Sequence, residues 1–260
     1  MAALHKECAR RLHEAATRQC PIPQLTQDLP ELTLDDAWEI QRRLAGHRLR
    51  ERSALHVGYK MGLTSRAKME QMGVFEAIAG HLTSDMAIEH GGSLQRAHYI
   101  HPRVEPEVAF VLAKDIDRPL SPAEALLAVE GVCLALDVLD SRYENFRFSL
   151  TDVIADNASS AGYVLGPMVR RPDELPLHAL GLVLSVNGEV VQTGSSAAIL
   201  EHPAVSLAAL TRRCATAGWP LRQGMIVLAG AATAAVAVEP GSCVRLEGAS
   251  LGDVHLRITP

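Results

Sequence analysis

The amino-acid sequence predicts an α+β fold, with helices gathered near the N-terminus and short strands filling the C-terminal half. Apolar residues recur at helical spacing early in the chain, whereas most later apolar segments are short and rich in β-branched residues. No GxGxxG motif follows a strand, and no GxxxxGK[ST] motif occurs. These observations favour an α+β arrangement over a doubly wound parallel sheet.

The composition limits the possible functions. The 260 residues are 48% hydrophobic and 21% charged, as in a typical globular protein, and the net charge of −5 comes without the basic run that nucleic-acid binding needs. Five scattered cysteines argue against a zinc knuckle or a disulfide framework and favour a reducing, cytoplasmic environment. Residues 1–20 are charged throughout, unlike a signal peptide, and the apolar segment 227–238 is shorter than the ~20 residues that span a membrane.

Two helices are predicted in the first part of the chain. Residues 1–20 place apolar side chains at i, i+4 spacing on one face, and Pro21 stops the helix. Thr33 and Asp36 have the spacing of a capping box, so a second helix begins there and runs to about Glu51.

A lysine lies in the strand that follows. Residues 57–65 indicate a short apolar strand with flanking glycines, and a short helix from Ser65 to Met72 is predicted next. Lys60 either extends its ammonium to water or is held for chemistry. Taken alone, the first alternative is the simpler one.

Two glutamates stand two residues apart where the segment His101–Leu112 becomes an apolar strand. Side chains i and i+2 of an extended chain lie on one face, so Glu105 and Glu107 point to the same place. Two carboxylates held together there are costly unless a positive charge lies between them, and a hard divalent cation would supply it. The alternative is a solvated pair on an exposed edge, with which Pro106 is compatible.

An aspartate interrupts a later buried strand. Ser121–Glu124 has the pattern of a helix start, and the apolar strand 132–142 follows that helix. Within the strand, Asp137 must be paired, protonated or bound to a cation, so it is the natural third ligand beside the two glutamates. Asp140 and Arg142 could pair with each other or with the site.

The segment 152–162 is dense in small and hydrogen-bonding residues, which allow backbone and hydroxyl groups to approach a ligand closely. The alternative is a tight turn in which Asp156 and Asn157 satisfy their own backbone. Both interpretations can hold together.

The C-terminal half is rich in strands. Asn187-Gly188 between Val183–Val186 and Glu189–Gln192 predicts a β-hairpin with a type I′ turn. A helix is predicted from His202-Pro203 to Gly218. Three further strand-like segments complete this half: 227–238, 242–247 and 254–258.

Four segments together resemble the fumarylacetoacetate hydrolase superfamily: Gly58–Ser65, His101–Leu112, Ala135–Tyr143 and Asp152–Gly166. The chain is most similar to the branch that holds 2-hydroxypenta-2,4-dienoate hydratases and 4-oxalocrotonate decarboxylases. The resemblance runs nearly end to end. It implies a mixed β-roll with a helical N-terminal extension, here a helical region over residues 1–75 and a catalytic domain over residues 76–260.

The same resemblance implies site residues. A Mg²⁺ or Mn²⁺ ion would be held by Glu105, Glu107 and Asp137, although many members of the branch have Glu at the last position. Lys60 and Ser160 would be catalytic. The implied substrate-binding residues are Met61, Thr64, Ser65, Val104, Asn157 and Ser159.

Within the branch, Asp140–Tyr143 and Phe146–Val153 are more similar to decarboxylases, which implies loss of CO₂ from 2-oxohex-3-enedioate to give 2-hydroxypenta-2,4-dienoate. Ile78-Ala79-Gly80 lacks the acid that hydratases tend to carry there. The alternatives are a 2-hydroxypenta-2,4-dienoate hydratase and a non-catalytic, metal-stabilised subunit of a hydratase complex. An acylpyruvate hydrolase is less favoured, because Ser65–Gly73 offers Glu70 but no histidine as a base.

The resemblance also implies partners. They are a dicarboxylic keto acid as substrate, further copies of the chain in a homo-oligomer, and the hydratase that consumes the unstable product. Neither a nucleic acid nor a membrane is expected as a partner, and a cytoplasmic location follows.

Overall fold

The structure is a computed structural model that describes residues 1–65, 69–70 and 76–260. The helix predicted from Ser65 to Met72, and the Ser65–Gly73 segment considered for a hydrolase base, lie largely outside the described residues.

The helices begin and end where local sequence signals place them. Their bounds are α1 (Ala2–Arg18), α2 (Leu25–Asp28), α3 (Leu34–Glu51), α4 (Pro122–Leu126), α5 (Leu150–Ala155) and α6 (Pro203–Ala217). Thr33 and Asp36 form the predicted capping box of α3, and Ser121 with Glu124 forms that of α4. Gly218 ends α6 in the left-handed conformation, with φ 66°.

The larger sheet holds the strands that carry the predicted site. Its members are β1 (His56–Gly62), β2 (Ile78–Thr83), β3 (Ala87–Ile88), β5 (Arg103–Leu112), β6 (Val129–Leu139), β7 (Ser160–Leu165), β10 (Ile226–Ala231) and β11 (Val236–Ala237). The order is β2-β1-β10-β5-β6-β7-β3, and β11 pairs with β5. The pairs β1–β10 and β3–β7 are parallel and the others are antiparallel, so the sheet is mixed.

The smaller sheet covers one face of the larger one. Its members are β4 (Ser93–Gln95), β8 (Gly181–Val186), β9 (Glu189–Ser195), β12 (Cys243–Gly248) and β13 (Gly252–Thr259), in the order β4-β13-β12-β8-β9. β8 and β9 form the predicted hairpin, in which Asn187 and Gly188 have φ 54° and 83°, as a type I′ turn requires. A continuous apolar core joins the sheets, with Phe110, Leu134 and Val227 on one side and Leu184, Leu246 and Leu256 on the other.

The N-terminal helices form a second layer with its own core. α1 and α3 pack against each other and against the chain around α5, burying Cys8, Leu12, Leu25, Ile40, Tyr143 and Ile154. Buried Gln41 fastens this layer to the sheet, because its Nε2 donates to the carbonyl oxygens of Ala79 on β2 (2.8 Å) and Ile154 on α5 (2.9 Å).

The predicted α+β class with N-terminal helices is confirmed. β1 lies before residue 75 and is hydrogen-bonded between β2 and β10. A division of the chain into two units at residue 75 stays a prediction. Within the described ranges, no helix combines the length and the apolar character needed to cross a bilayer.

Substituting Gln41 tests how the helical layer is attached. Gln41→Met keeps the volume but removes both donors, and a buried polar group left without its partner costs about 1–3 kcal/mol. We expect the free energy of unfolding, measured with urea, to fall by about 2–4 kcal/mol because two carbonyls are affected. Arg50→Met at an exposed position of α3 is the control, with an expected change below about 0.5 kcal/mol. Equal stability of the two variants would contradict this role.

Candidate metal centre and substrate site

Three acidic side chains meet on one face of the larger sheet. Glu105 on β5 is directly opposite Asp137 on β6, and Glu107 projects from the same face of β5 two residues further on. One carboxylate oxygen from each lies within 4.8 Å of the others. The structure therefore brings together the three residues that the sequence singled out, which we call the acidic cluster. Their role as metal ligands stays a prediction.

The acidic cluster is buried, and it holds three carboxylates beside the ammonium of Lys60. Glu107 and Asp137 are fully buried, and Glu105 is 8% exposed. The buried Lys60 ammonium donates to Oδ2 of Asp137, so it does not extend to water. Burial alone would lower the pKa of Lys60, but the charges of Asp137, Glu105 and Glu107 outweigh burial and raise it. Burial, together with the charge of Asp137, raises the pKa of Glu107 well above its usual range.

Gly230 on β10 holds one oxygen of Glu107. Its N–H donates to Oε2 of Glu107 at 2.7 Å. Gly230 has φ +115°, and a Cβ at this position would lie 2.1 Å from Oγ1 of Thr64, so glycine is required here. Gly230 was not predicted from the sequence. The available signal was a glycine inside an apolar strand, which often marks a close approach of another backbone or side chain.

The donor set of the acidic cluster fits a hard divalent cation. The other oxygen of Glu107, Oε1, is buried and has no hydrogen-bond partner among the described residues. A buried carboxylate oxygen without a partner is costly, and a cation would satisfy it. All three residues offer oxygen, which suits Mg²⁺ or Mn²⁺ better than Zn²⁺, whose protein sites are usually rich in nitrogen or sulfur.

A left-handed turn lies beside this cluster. Asn157, Ala158 and Ser159 have φ 54°, 53° and 55°, and we call them the 157–159 turn. The amide of Asn157 fastens the turn to β2, because Oδ1 accepts from the His81 N–H (2.7 Å) and Nδ2 donates to the His81 carbonyl (3.0 Å). The predicted tight turn is present, but the prediction that Asp156 and Asn157 satisfy their own backbone was wrong, because their side chains bond to Arg142 and to the His81 backbone instead.

The two serines differ in their contacts. Oγ of Ser159 is buried and has no hydrogen-bond partner in the part of the chain that the structure describes, so it can serve a ligand. Oγ of Ser160 lies 3.8 Å from Sδ of Met86. Ser160 begins β7, in which Tyr163 is directly opposite Asp137.

The other predicted substrate-binding residues are placed less favourably. The side chains of Met61 and Val104 belong to the core between the sheets, whereas neighbouring Lys60 and Glu105 point to the opposite face. Any ligand contact from Met61 or Val104 would therefore come from the backbone. Thr64 is buried and its carbonyl accepts from the Leu200 N–H at 2.8 Å.

The charged residues after β6 pair differently from one of the predicted alternatives. The carboxylate of Asp140 accepts the N–H groups of Ile100 (2.9 Å) and His101 (2.8 Å), just before β5. Arg142 forms its ion pair with Asp156. The predicted alternative of a side-chain ion pair between Asp140 and Arg142 was wrong, because backbone donors occupy the Asp140 carboxylate and Arg142 contacts Asp140 through its carbonyl oxygen.

Comparison with known proteins identifies the family. Residues 60–259 match the model of the fumarylacetoacetate (FAA) hydrolase C-terminal family. The chain belongs to this family. It is 51% identical over 251 residues to a 4-oxalocrotonate decarboxylase of Pseudomonas sp, covering 96% of each chain. It is also 36% identical over 257 residues to a 2-keto-4-pentenoate hydratase of Paraburkholderia xenovorans strain LB400, covering 96% of this chain and 93% of the relative.

A solved structure extends the likeness to the whole fold. This chain is similar to the structure of 4-oxalocrotonate decarboxylase from Pseudomonas putida G7 complexed with magnesium and adipate, with a TM-score of 0.95 and 36% identity. The match covers 99% of this chain and 98% of that one. The N-terminal helices are therefore shared as well as the sheets.

Metal binding can be measured directly. We expect Mn²⁺ to bind the wild-type protein, as measured by electron paramagnetic resonance. Glu107→Gln should weaken the Mn²⁺ affinity at least about 100-fold, because substituting even a residue that only hydrogen-bonds to a metal ligand lowers metal affinity about 10–100-fold. Glu130→Gln, at an exposed position on β6, is the matched control and should bind as the wild type does. Undiminished affinity in Glu107→Gln would remove Glu107 from the ligand set.

Proposed function

We propose that this protein is a divalent-metal-dependent 4-oxalocrotonate decarboxylase, which converts 2-oxohex-3-enedioate to 2-hydroxypenta-2,4-dienoate and CO₂. The observation that carries the proposal is the buried acidic cluster with Lys60, in a chain 51% identical to a decarboxylase of that name over 96% of its length. The adipate in the solved relative supports it, because adipate is a six-carbon dicarboxylate like this substrate.

Glu105, Glu107 and Asp137 would hold Mg²⁺, with Mn²⁺ as an alternative. The ion would supply a Lewis acid for the 2-oxo group of the substrate, in a pocket whose burial strengthens electrostatic interactions. Asp137 is shorter than the glutamate common in the branch, and its Oδ2 also accepts a hydrogen bond from the Lys60 ammonium.

The reaction breaks the bond between C5 and the C6 carboxylate. The electron pair of that bond forms the C4–C5 double bond, the C3–C4 π pair moves to C2–C3, and the C2 oxygen gains the charge. A proton then reaches that oxygen, which gives the 2-hydroxydienoate. The enzyme must therefore stabilise negative charge near C2 and bind the distal carboxylate without solvating it strongly.

The chain supplies groups for the first task. The Lys60 ammonium, held at Asp137, would offset charge that develops on the C2 oxygen. The hydroxyls of Ser159 and Ser160 would orient the substrate, whereas the Asn157 side chain would act through the backbone that it holds. Thr64 and Ser65, with the backbone of Met61 and Val104, would complete the binding surface.

The second candidate is a 2-hydroxypenta-2,4-dienoate hydratase, which the 36% identity to a hydratase supports. Hydration needs an acid that positions water or donates a proton. Ile78, Ala79 and Gly80, at the place where hydratases tend to carry it, offer none. We therefore rank decarboxylation first. A non-catalytic, metal-stabilised subunit of a hydratase complex is the remaining alternative.

The instability of the dienol product favours a complex with the enzyme that consumes it. We propose that the protein acts in the cytoplasm as a homo-oligomer, in a complex with the hydratase that consumes this product. Direct transfer would limit loss of the dienol to side reactions.

The activity can be tested with purified protein and Mg²⁺. We expect CO₂ release from 2-oxohex-3-enedioate, and a loss of kcat/KM of at least about 1,000-fold in Glu105→Gln and Glu107→Gln, since metal-dependent charge stabilisation is worth several kcal/mol. Hydration of 2-hydroxypenta-2,4-dienoate without CO₂ release would establish the hydratase instead. Metal binding with neither reaction would favour the non-catalytic subunit.

The role of Lys60 in catalysis can be tested separately from metal binding. Lys60→Met removes the ammonium that competes with a cation for Asp137, so Mn²⁺ should bind at least as tightly as in the wild type. We expect kcat to fall about 100–1,000-fold, the usual loss for one preorganised electrostatic group. Lys114→Met, at an exposed position, is the control. A kcat near that of the wild type would exclude Lys60 from catalysis.

A further inference from the structure

The 157–159 turn touches the backbone on both sides of the Lys60–Asp137 pair. A Cβ on Gly80, the residue opposite Lys60, would lie 2.5 Å from the carbonyl oxygen of Asn157. At the other end, the carbonyl of Ser159 accepts the N–H of Asp140 at 2.8 Å, three residues after Asp137. The position of the turn therefore sets where the two serine hydroxyls lie relative to the proposed substrate.

The turn does not hold this shape by itself. Left-handed backbone is unfavourable for L-residues, and the turn contains three in succession with no glycine among them. Packing covers only part of it: Ala158 lies in the core of the helical layer, but a cavity of about 40 Å³ beside Asn157 is lined by Arg142, Ser160 and residues of α1 and α3. Directed hydrogen bonds therefore help to fix the turn.

Arg142 supplies hydrogen bonds to the residues on both sides of the turn. Its guanidinium donates to the carbonyls of Asp140 (2.7 Å), Ser160 (3.1 Å) and Asp156, and its Nε donates to the Asp156 carboxylate. The Asp156 carboxylate also accepts the Arg142 backbone N–H at 3.1 Å. Arg142 is 5% exposed and Asp156 is fully buried. The planar guanidinium thus connects the end of β6 to both ends of the turn, as its fixed fork of donors allows.

We propose that Arg142 and Asp156 are positioning residues, which hold the 157–159 turn so that Ser159 and Ser160 meet the bound dicarboxylate. A buried ion pair is weak evidence for stability, and fixing one arrangement is its better-supported use. The proposal rests on the proposed function for the identity of the ligand. The pair is distinct from the acidic cluster, so metal binding should not depend on it.

The test begins with Asp156→Asn, which keeps the shape and removes the charge. We expect kcat/KM for CO₂ release to fall about 10–100-fold, mainly through KM, since misplacement from a remote substitution can cost about 100-fold. Mn²⁺ affinity should stay within about twofold of the wild type. The control is Asp173→Asn, which removes the same charge from an exposed arginine pair. If Asp156→Asn does not fold, Arg142→Lys is used, because it keeps the charge and loses the fork.

A second substitution separates positioning from general damage. Glycine adopts left-handed backbone without a steric cost, so Ala158→Gly should make the turn depend less on the pair. We expect Ala158→Gly to recover about tenfold of the lost kcat/KM in the Asp156→Asn background and to change the wild type little. The proposal would be overturned if the effects of Asp156→Asn and Ala158→Gly on kcat/KM were simply additive in this double-mutant cycle. It would also be overturned if Asp156→Asn lowered Mn²⁺ affinity as much as kcat/KM.

A binding measurement that does not require catalysis distinguishes the positioning proposal from the proposed decarboxylase function. Adipate binding to the Mn²⁺-loaded protein is measured by calorimetry, and Asp156→Asn should weaken it about as much as it raises KM. A wild-type protein that binds adipate but releases no CO₂ would reject the decarboxylase while leaving the positioning test intact. Equal adipate affinity in the wild type and Asp156→Asn, or a wild type without any adipate binding, would reject the positioning pair.

Discussion

The site depends on one electrostatic constraint: within the part of the chain that the structure describes, three carboxylates share a buried place with the ammonium of Lys60. Such an arrangement is unfavourable in a medium of low polarity unless the remaining charge is neutralised. Glu105, Glu107 and Asp137 project from two adjacent strands, where cross-strand register fixes their spacing. Lys60 comes from a third strand and Gly230 from a fourth, so the fold itself enforces the crowding.

Local signals in the sequence predicted local structure well. Capping boxes located the starts of α3 and α4, and Asn187-Gly188 located the hairpin, because these patterns act through hydrogen bonds within a few residues. The pairing of strands is a long-range property. The parallel contact of β1 with β10 joins residues that are far apart in the chain, and no short pattern encodes it.

The charged residues of the candidate site were predictable from the sequence, whereas the residues that hold them in place were less so. Strand alternation alone would have placed Met61 and Val104 on the face opposite Lys60 and Glu105, and the family resemblance obscured this. The hydrogen bond from Gly230 to Glu107 and the pairing of Arg142 with Asp156 could not be derived, because each depends on the distance between segments that only the folded chain brings together.

The two hydrogen bonds of Gln41 have a consequence for how this chain can be recombined with others. They join α3 to β2 and to α5, and α5 leads directly into the 157–159 turn. A chimera that took its helices from one parent and its sheet from another would have to match both carbonyls as well as the apolar seam between them. A chimera that takes the helical layer and the sheets from the same parent is therefore favoured over one that combines them from different parents.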